Sequence, residues 1–147
     1  MAAYLLDTNV LLRLVDRASP DHAPAAQAVE RLLSRRESCY LTPQVLVEFW
    51  AVATRPVAVN GLGWTSGQAR TEVEALLDQF PLLEETPAVF ENWLGLVTDQ
   101  QVVGKQVHDA RLAAVMHTHS ISRLLTFNLE DFPPGYRVEA AHPAAVE

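Results

Sequence analysis

Oxygen-bearing side chains interrupt apolar stretches of this chain at four places. They are Asp7, Glu48, Asp109 and Asn128, the last followed closely by Asp131. Hard divalent cations such as Mg²⁺ and Mn²⁺ take oxygen ligands, usually one or two carboxylates with water and phosphate oxygens completing the shell. Such ions activate water and stabilise the charge that develops when a phosphodiester is hydrolysed. These residue types therefore fit metal-assisted phosphodiester hydrolysis, provided that the fold brings them together.

Asp7 ends the apolar stretch AAYLL, residues 2–6, and is followed by Thr8 and Asn9. A polar side chain at this point can N-cap the next helix, and Thr8 and Asn9 suit that role as well as Asp7 does. Taken alone, this stretch favours helix capping over metal binding.

Glu48 is the single polar residue of VLVEFWAVA, residues 45–53. A helix that is apolar on every side is buried, so we expect core residues around Glu48, where a lone carboxylate is costly. Such a carboxylate is neutralised, paired or bound to a cation. A buried ion pair with an arginine and a plain exposed position are the alternatives.

Asp109 and Asn128 each have an ordinary structural explanation as well. Asp109 stands near the start of a predicted helix, where the helix dipole favours an anion. Asn128 stands just past the apolar stretch LLTF, residues 124–127, in the position that Asp7 has after the first predicted strand. Turn formation explains Asn128 and Asp131 equally well. The four interruptions are weak signals singly and become informative only if they converge.

Predicted strands and helices alternate along the chain. Strands are predicted at 2–6, 39–42, 81–84, 121–127 and 136–140, and helices at 10–16, 21–36, 43–54, 66–80, 87–98 and 105–119. This alternation predicts a three-layer α/β/α fold with a central parallel sheet of about four or five strands. Ligands of such sheets bind beyond the carboxyl ends of the strands. We therefore expect the four polar interruptions at or near one edge of the sheet.

The composition is that of a single globular domain covering residues 1–147. The chain is 49% hydrophobic and 20% charged, within the ordinary range. It has no apolar run of the roughly 18 residues that a membrane span needs and no secretory signal pattern at its start, so we expect a cytoplasmic protein without a membrane partner. The single cysteine, Cys39, excludes an internal disulfide. Residues 140–147 are predicted to be a loose tail.

The net charge is −7, from 11 basic and 18 acidic residues. That balance argues against non-specific nucleic-acid binding, which rests on Lys and Arg contacts to phosphates. Metal-binding carboxylates would themselves contribute to the negative charge, and basic residues can still line the rim of a site. The charge therefore does not exclude a nuclease.

Four segments taken together resemble a known family. LLDTNVLL, VEFW, HDARLAA and LLTFNLEDF, in this order and spacing, resemble the PIN-domain ribonucleases and are most similar to the VapC-type toxins of toxin–antitoxin pairs. The resemblance runs from about residue 4 to residue 132. It implies a compact α/β/α fold, an acidic site for Mg²⁺ or Mn²⁺, cleavage of RNA, a cognate antitoxin and a homodimer.

The resemblance also implies roles for the acidic residues. Asp7, Glu48 and Asp109 match the three principal acidic positions of the family. Asp7 and Asp109 would be direct metal ligands, and Glu48 would help to hold a metal, directly or through water, or orient the attacking water. Thr8 lies where a hydroxyl often supports the site in this family.

The fourth acidic position is where this chain departs from the family pattern. Many relatives carry an aspartate where this chain has the neutral Asn128. Asp131 could supply the missing charge from the turn. This departure bears on whether the site holds a second metal ion, and it leaves the expected fold unchanged.

Candidate RNA contacts are Arg13, Arg55 and Arg111, although a solvated surface position is the default interpretation of each. The loop at residues 55–66 is long for a compact domain. Its Trp64 could stack on a base or meet a partner, and packing against the core is the favoured interpretation.

Three rival functions remain open from the sequence. In a haloacid-dehalogenase-type phosphatase Asp7 would be the covalent nucleophile, but Asn9 stands where that class needs a second aspartate, and Glu48 has no role there. A catalytically weakened PIN-like protein-binding module would be consistent with the neutral Asn128. A nuclease for structured DNA or for ribosomal-RNA processing would share the same chemistry, but such relatives tend to carry additional domains.

Overall fold

The computed structural model describes residues 2–147, and a four-stranded parallel sheet lies at its centre. The strands are β1 (Ala3–Leu6), β2 (Ser38–Tyr40), β3 (Arg123–Leu125) and β4 (Glu139–Ala141), in the order β2-β1-β3-β4. The α-helices of the described residues are α1 (Thr8–Val15), α2 (His22–Ser34), α3 (Pro43–Thr54), α4 (Ser66–Gln79), α5 (Pro87–Asp99) and α6 (Val107–Thr118). This architecture confirms the predicted α/β fold with a central parallel sheet.

The core is built on the two inner strands of the sheet. Leu5 and Leu6 of β1 pair with Leu124 and Leu125 of β3, and all four side chains are fully buried. Continuous apolar strands of this kind are typical of parallel sheets that are covered on both faces. Helices provide that cover: α1 packs against α2 and α3, α3 against α4, and α5 against α6.

Two predictions about the sheet and its end are wrong. The predicted strand at 81–84 forms only an isolated bridge between Leu82 and Leu41, because Pro81 on one side of the bridge and Pro43 on the other have no N–H with which to extend the pairing. The predicted loose tail is ordered: its first residues belong to β4, and Val146 is buried. Arg31 donates a hydrogen bond from Nη1 to the carbonyl of Val146 at 2.9 Å, so the end of the chain is fixed against α2.

Helix α3 begins as predicted but is not buried on every side. Thr42 caps it, since its hydroxyl accepts a hydrogen bond from the N–H of Val45 at 3.2 Å. Val45, Phe49 and Ala53 face the core, whereas Val47 is 69% exposed. Glu48 is half-buried, so the expectation of a glutamate surrounded by core is wrong. The sequence misleads here because the solvent-facing side of α3 is also apolar.

The loop at 55–66 folds back on the end of α3. The N–H of Gly63 donates to the carbonyl of Arg55 at 2.8 Å, and that of Trp64 to the carbonyl of Ala53 at 2.9 Å. The Trp64 ring is half-buried and meets Phe49 edge-on, with ring centroids 6.2 Å apart. Packing against the core, the favoured interpretation of Trp64, is confirmed.

No α-helix described in residues 2–147 has the length and the apolar character needed to cross a bilayer.

Candidate active site

The sheet order creates a site at the carboxyl ends of β1 and β3. The chain leaves β1 towards β2 on one side, while β3 lies on its other side. In open parallel sheets a crevice forms where the strand order reverses, and ligands bind there. Asp7 is the first residue past β1, and its N–H donates to the carbonyl of Leu125 at the end of β3, at 3.0 Å.

Asp7 is buried, with 7% of its surface exposed, and both of its carboxylate oxygens are hydrogen-bonded. Oδ1 accepts from the N–H of Thr8 at 2.8 Å, which makes Asp7 the N-cap of α1. Oδ2 accepts from the Thr126 hydroxyl at 2.8 Å and from the Asn9 amide at 3.2 Å. Capping and a place in the site are therefore compatible roles for the same carboxylate.

Asn9 and Thr126 extend this network along the loop after β3. Asn9 donates to the Thr126 hydroxyl oxygen at 3.2 Å and accepts from the N–H of Phe127 at 3.0 Å. The same hydroxyl oxygen accepts from the N–H of Asn128 at 3.0 Å. Sequence reasoning missed Thr126, although it is the single polar residue in the apolar stretch 124–127.

An open cleft of about 900 Å³ is lined by other candidate site residues. Asp7 is not part of its lining, but the charges of two lining residues, Glu48 and Asp131, act on the Asp7 carboxyl group. The charged side chains that line it are Glu48, Glu85, Lys105, Asp109, Arg111 and Asp131. They come from α3, from the segment before α5, from α6 with its preceding turn, and from the turn after β3. The fold therefore gathers acidic residues that are far apart in sequence around one opening.

The carboxylates lie close enough to change one another's titration. Burial, and then the charges of Asp131, Asp7 and Glu48, raise the pKa of Asp109 to about 7. The positive charge of Lys105 acts in the opposite direction. At neutral pH, Asp109 thus resists full ionisation unless further positive charge is nearby.

The pKa of Asp7 is shifted by burial and by neighbouring carboxylates as well. Burial raises its pKa, and the hydrogen bonds from Thr126 and Thr8 oppose that rise. The charges of Glu48 and Asp131 raise the pKa further. Asp7 and Asp109 are thus two partly desolvated carboxyl groups whose ionised forms a bound cation would favour.

The site fits a hard divalent cation held by few protein ligands. In residues 2–147 no three or more His, Cys, Asp or Glu side chains are gathered into a ready cage for a metal. Mg²⁺ does not require such a cage, because it keeps several waters and takes one or two carboxylates. The hydroxyl oxygen of Thr8 is buried without a hydrogen-bond partner, which suits a water or a ligand held beside Asp7.

The two candidates for the fourth acidic position are placed differently. Asp131 is exposed, lines the cleft and contributes to the raised pKa values of Asp7 and Asp109. Asn128 is exposed and does not belong to the cleft lining found in residues 2–147. Its contribution to the network is its backbone N–H.

Glu48 is hydrogen-bonded to a residue that sequence reasoning missed. Gln44, one turn earlier on α3, donates from Nε2 to Oε1 of Glu48 at 2.9 Å. Its Oε1 accepts from Nη1 of Arg111 at 2.8 Å. The i, i+4 spacing of Gln44 and Glu48 in the sequence was the available signal.

The three arginines named as RNA contacts have different surroundings. Arg111 lines the cleft, and its guanidinium forms two hydrogen bonds to Glu85, at 2.9 and 2.7 Å. Arg13 lies 3.8 Å from Asp21, and Arg55 is exposed at the end of α3. Among the residues described, Arg111 lines the acidic cleft and the other two do not. RNA contact by these arginines stays a prediction.

Comparison with known proteins finds a matching family model and a related ribonuclease. The family model described as PIN domain matches residues 4–133. Ribonuclease VapC24 of Mycobacterium tuberculosis is 27% identical over 130 residues, an alignment that covers 86% of this chain and 87% of the relative.

Solved structures share the fold at low sequence identity. One is the crystal structure of VapBC2 from Rickettsia felis bound to a DNA fragment from their promoter, with a TM-score of 0.71 and 15% identity, covering 95% of this chain and 98% of that one. Another is VapC20 of Mycobacterium tuberculosis, described as a sarcin-ricin loop cleaving toxin, with a TM-score of 0.52 and 18% identity over 82% of this chain and 86% of that one.

Proposed function

The chain belongs to the PIN-domain family, and we propose that it is a metal-dependent endoribonuclease that acts in the cytoplasm as the toxin of a type II toxin–antitoxin pair. The observation that carries this proposal is the convergence of Glu48, Asp109 and Asp131 on one cleft, where the charges of Glu48 and Asp131 also act on the buried Asp7. Carboxyl groups gathered in this way are ready to take up a cation. The ribonuclease and toxin names of the similar VapC proteins support RNA as the substrate.

Asp7 and Asp109 are the proposed metal ligands, and the Mg²⁺ or Mn²⁺ they hold would activate water and stabilise charge on the phosphodiester. Glu48 assists by holding a metal, directly or through water, or by orienting the attacking water. Asp131 is proposed as the fourth acidic residue in preference to Asn128, because Asp131 is the one that lines the cleft. The unpartnered Thr8 hydroxyl would support the site beside Asp7.

Positive charge in the cleft would contact the RNA backbone. Lys105 and Arg111 both line the cleft, and Lys and Arg contacts to phosphates supply most sequence-independent affinity for nucleic acids. Any RNA contact made by Arg13 or Arg55 would lie away from the acidic residues. Family membership also removes the support for a haloacid-dehalogenase-type phosphatase.

A cognate antitoxin and a homodimer are the proposed protein partners. The likeness to a solved toxin–antitoxin complex from Klebsiella pneumoniae, with a TM-score of 0.65 and 20% identity over 95% of this chain and 97% of that one, supports the antitoxin. The homodimer rests on the family resemblance alone.

RNA cleavage by the purified protein with Mg²⁺ or Mn²⁺ tests the enzymatic proposal, beside an Asp109→Asn variant. We expect cleavage by the wild-type protein and a loss of it in the variant. Equal activity in both would indicate a contaminating nuclease, and no activity in either would favour the protein-binding module.

The toxin role requires a separate experiment in cells. Expression of the protein is expected to arrest growth, and co-expression of the neighbouring open reading frame is expected to relieve that arrest. Growth arrest by the Asp109→Asn variant at the wild-type level would separate toxicity from RNA cleavage and contradict the proposed toxin mechanism.

A further inference from the structure

The Glu48 carboxylate is tied to α6 through one side-chain amide. Nε2 of Gln44 donates both to Oε1 of Glu48, at 2.9 Å, and to the carbonyl of His108, at 2.8 Å. His108 directly precedes Asp109 in the chain. One amide group therefore fixes the Glu48 side chain relative to the backbone that carries Asp109.

The orientation of this amide is determined by a third partner. Oε1 of Gln44 accepts from Nη1 of Arg111 at 2.8 Å. If the amide were rotated by half a turn, its oxygen would face the Glu48 carboxylate and its NH₂ group would face the guanidinium. Both contacts would be repulsive, because a carboxylate only accepts hydrogen bonds and a guanidinium only donates them. Arg111 thus keeps the donating side of the amide towards Glu48.

Arg111 is itself held by a strong partner. Nη1 and Nη2 donate to the two carboxylate oxygens of Glu85, at 2.9 and 2.7 Å. Paired hydrogen bonds of this kind fix the plane of the guanidinium as well as its position. A continuous chain of contacts therefore runs from Glu85 through Arg111 and Gln44 to Glu48.

We propose that Gln44 is a positioning residue that holds the Glu48 carboxylate in the acidic cleft, a role that rests on the proposed ribonuclease function. Glu48 is half-buried and has a flexible side chain, and the charges of Asp7 and Asp109 repel it. Without the amide, the favourable response of the Glu48 carboxylate is to turn towards solvent. Gln44 opposes that movement through a charge-assisted hydrogen bond.

Two substitutions separate this role from simple packing. Gln44→Met keeps the length of the side chain and removes all of its hydrogen bonds. Gln44→Glu keeps an acceptor for Arg111 but replaces the donor to Glu48 by a negative charge. Gln27→Met, at an exposed position of α2, is the matched control. Gln44 lies half-buried on a helix surface, where methionine is a good helix former, and the melting temperature of each variant verifies folding.

The first readout is the kinetics of RNA cleavage with Mg²⁺ or Mn²⁺. Loss of a group that orients a site residue typically lowers activity about 10- to 100-fold, and we expect a fall of that size in kcat for both Gln44 variants. KM for RNA should change by less than about twofold in Gln44→Met, since a group acting on the chemical step leaves substrate binding intact. In Gln44→Glu the added negative charge beside Arg111 should also raise KM. The control should behave as the wild type. Wild-type kcat in either Gln44 variant would overturn the proposal.

The second readout is the crystal structure of the Gln44→Met variant beside that of the wild type. We expect the Glu48 carboxylate to leave its wild-type position in the variant. A Glu48 side chain that stays in place would overturn the positioning role even if kcat falls. If the wild-type protein cleaves no RNA, the proposed function fails, and the position of Glu48 in the two crystal structures still tests the role of Gln44.

Discussion

The Thr126 hydroxyl donates a hydrogen bond to Oδ2 of Asp7 at 2.8 Å and thereby joins the carboxyl ends of β3 and β1. The two residues are 119 positions apart in the chain. Their contact follows from the parallel pairing of Leu6 with Leu125, which sets the next residue of each strand side by side. Thr126 is fully buried, so this hydrogen bond is shielded from water.

The first prediction concerns this contact. Thr126→Val keeps the shape of the side chain and removes the donor to Asp7, as well as the acceptor for Asn9 and for the N–H of Asn128. Leaving such buried partners unpaired costs about 1–3 kcal/mol, so we expect a lower free energy of unfolding. RNA cleavage should fall about 10-fold or more, because the metal-ligating carboxylate loses its support.

Thr126→Ser is the control for that experiment, since it keeps the hydroxyl and loses only a methyl group. Cleavage by the serine variant should stay near the wild-type level. Equal cleavage by the valine and serine variants would show that the hydroxyl has no part in holding Asp7. Chemical denaturation and a cleavage assay on the same preparations provide both measurements.

A second prediction concerns Asp7 itself. Asp7→Asn keeps an oxygen for the N–H of Thr8 or for the Thr126 hydroxyl but removes the charge that a cation needs. We expect cleavage to fall at least about 100-fold, since loss of even a supporting group costs 10- to 100-fold, while circular dichroism shows an unchanged fold. Asp78→Asn, at an exposed position of α4, is the matched control and should cleave normally. Cleavage by Asp7→Asn at the control level would exclude Asp7 as a ligand.

A third prediction follows from the raised pKa of Asp109. Its pKa is about 7 in the folded protein, above the ordinary value of 3.8, so the folded state holds this proton more tightly than the unfolded state does. Without divalent cations, the contribution of Asp109 to stability therefore decreases as the pH rises from about 4 to about 7, and it is constant above that range. A variant without the Asp109 charge should therefore not show this loss of stability.

Thermal unfolding of the wild type and of Asp109→Asn in a chelator measures the effect. The variant should melt higher than the wild type at pH 8, by at least about 2 °C, and the difference should shrink at pH 4.5. Adding Mg²⁺ or Mn²⁺ at pH 8 should raise the melting temperature of the wild type more than that of the variant, because the cation binds the folded state. A difference that is the same at both pH values would contradict the raised pKa.

A fourth prediction distinguishes Asp131 from Asn128. Asp131 lines the cleft and acts on the titration of Asp109, whereas Asn128 does not line it. Asp131→Asn should therefore lower cleavage about 10-fold or more and raise the cation concentration needed for half-maximal activity. Asn128→Ala should leave both quantities close to those of the wild type. The reverse ranking of the two variants would assign the fourth position to Asn128.

Most of the fold could be predicted from local patterns. Thr42 followed by Pro43 marked the start of α3, and the apolar stretches at 2–6 and 124–127 marked the inner strands. The prediction failed where local pattern and tertiary placement diverge. Val47 is apolar yet exposed, and Val146 looks like part of a tail yet is buried, because neither position is decided by its sequence neighbours.

The sequence alone determined which oxygen-bearing residues interrupt apolar stretches. It thereby identified Asp7, Glu48 and Asp109 as the candidate site carboxyl groups. Only the tertiary structure decided which groups meet them. Thr126 reaches Asp7 because two parallel strands end together, and Gln44 reaches Arg111 because α3 and α6 border the same cleft. Such contacts depend on strand order and helix packing across the whole chain, and periodicity within one segment carries no information about them.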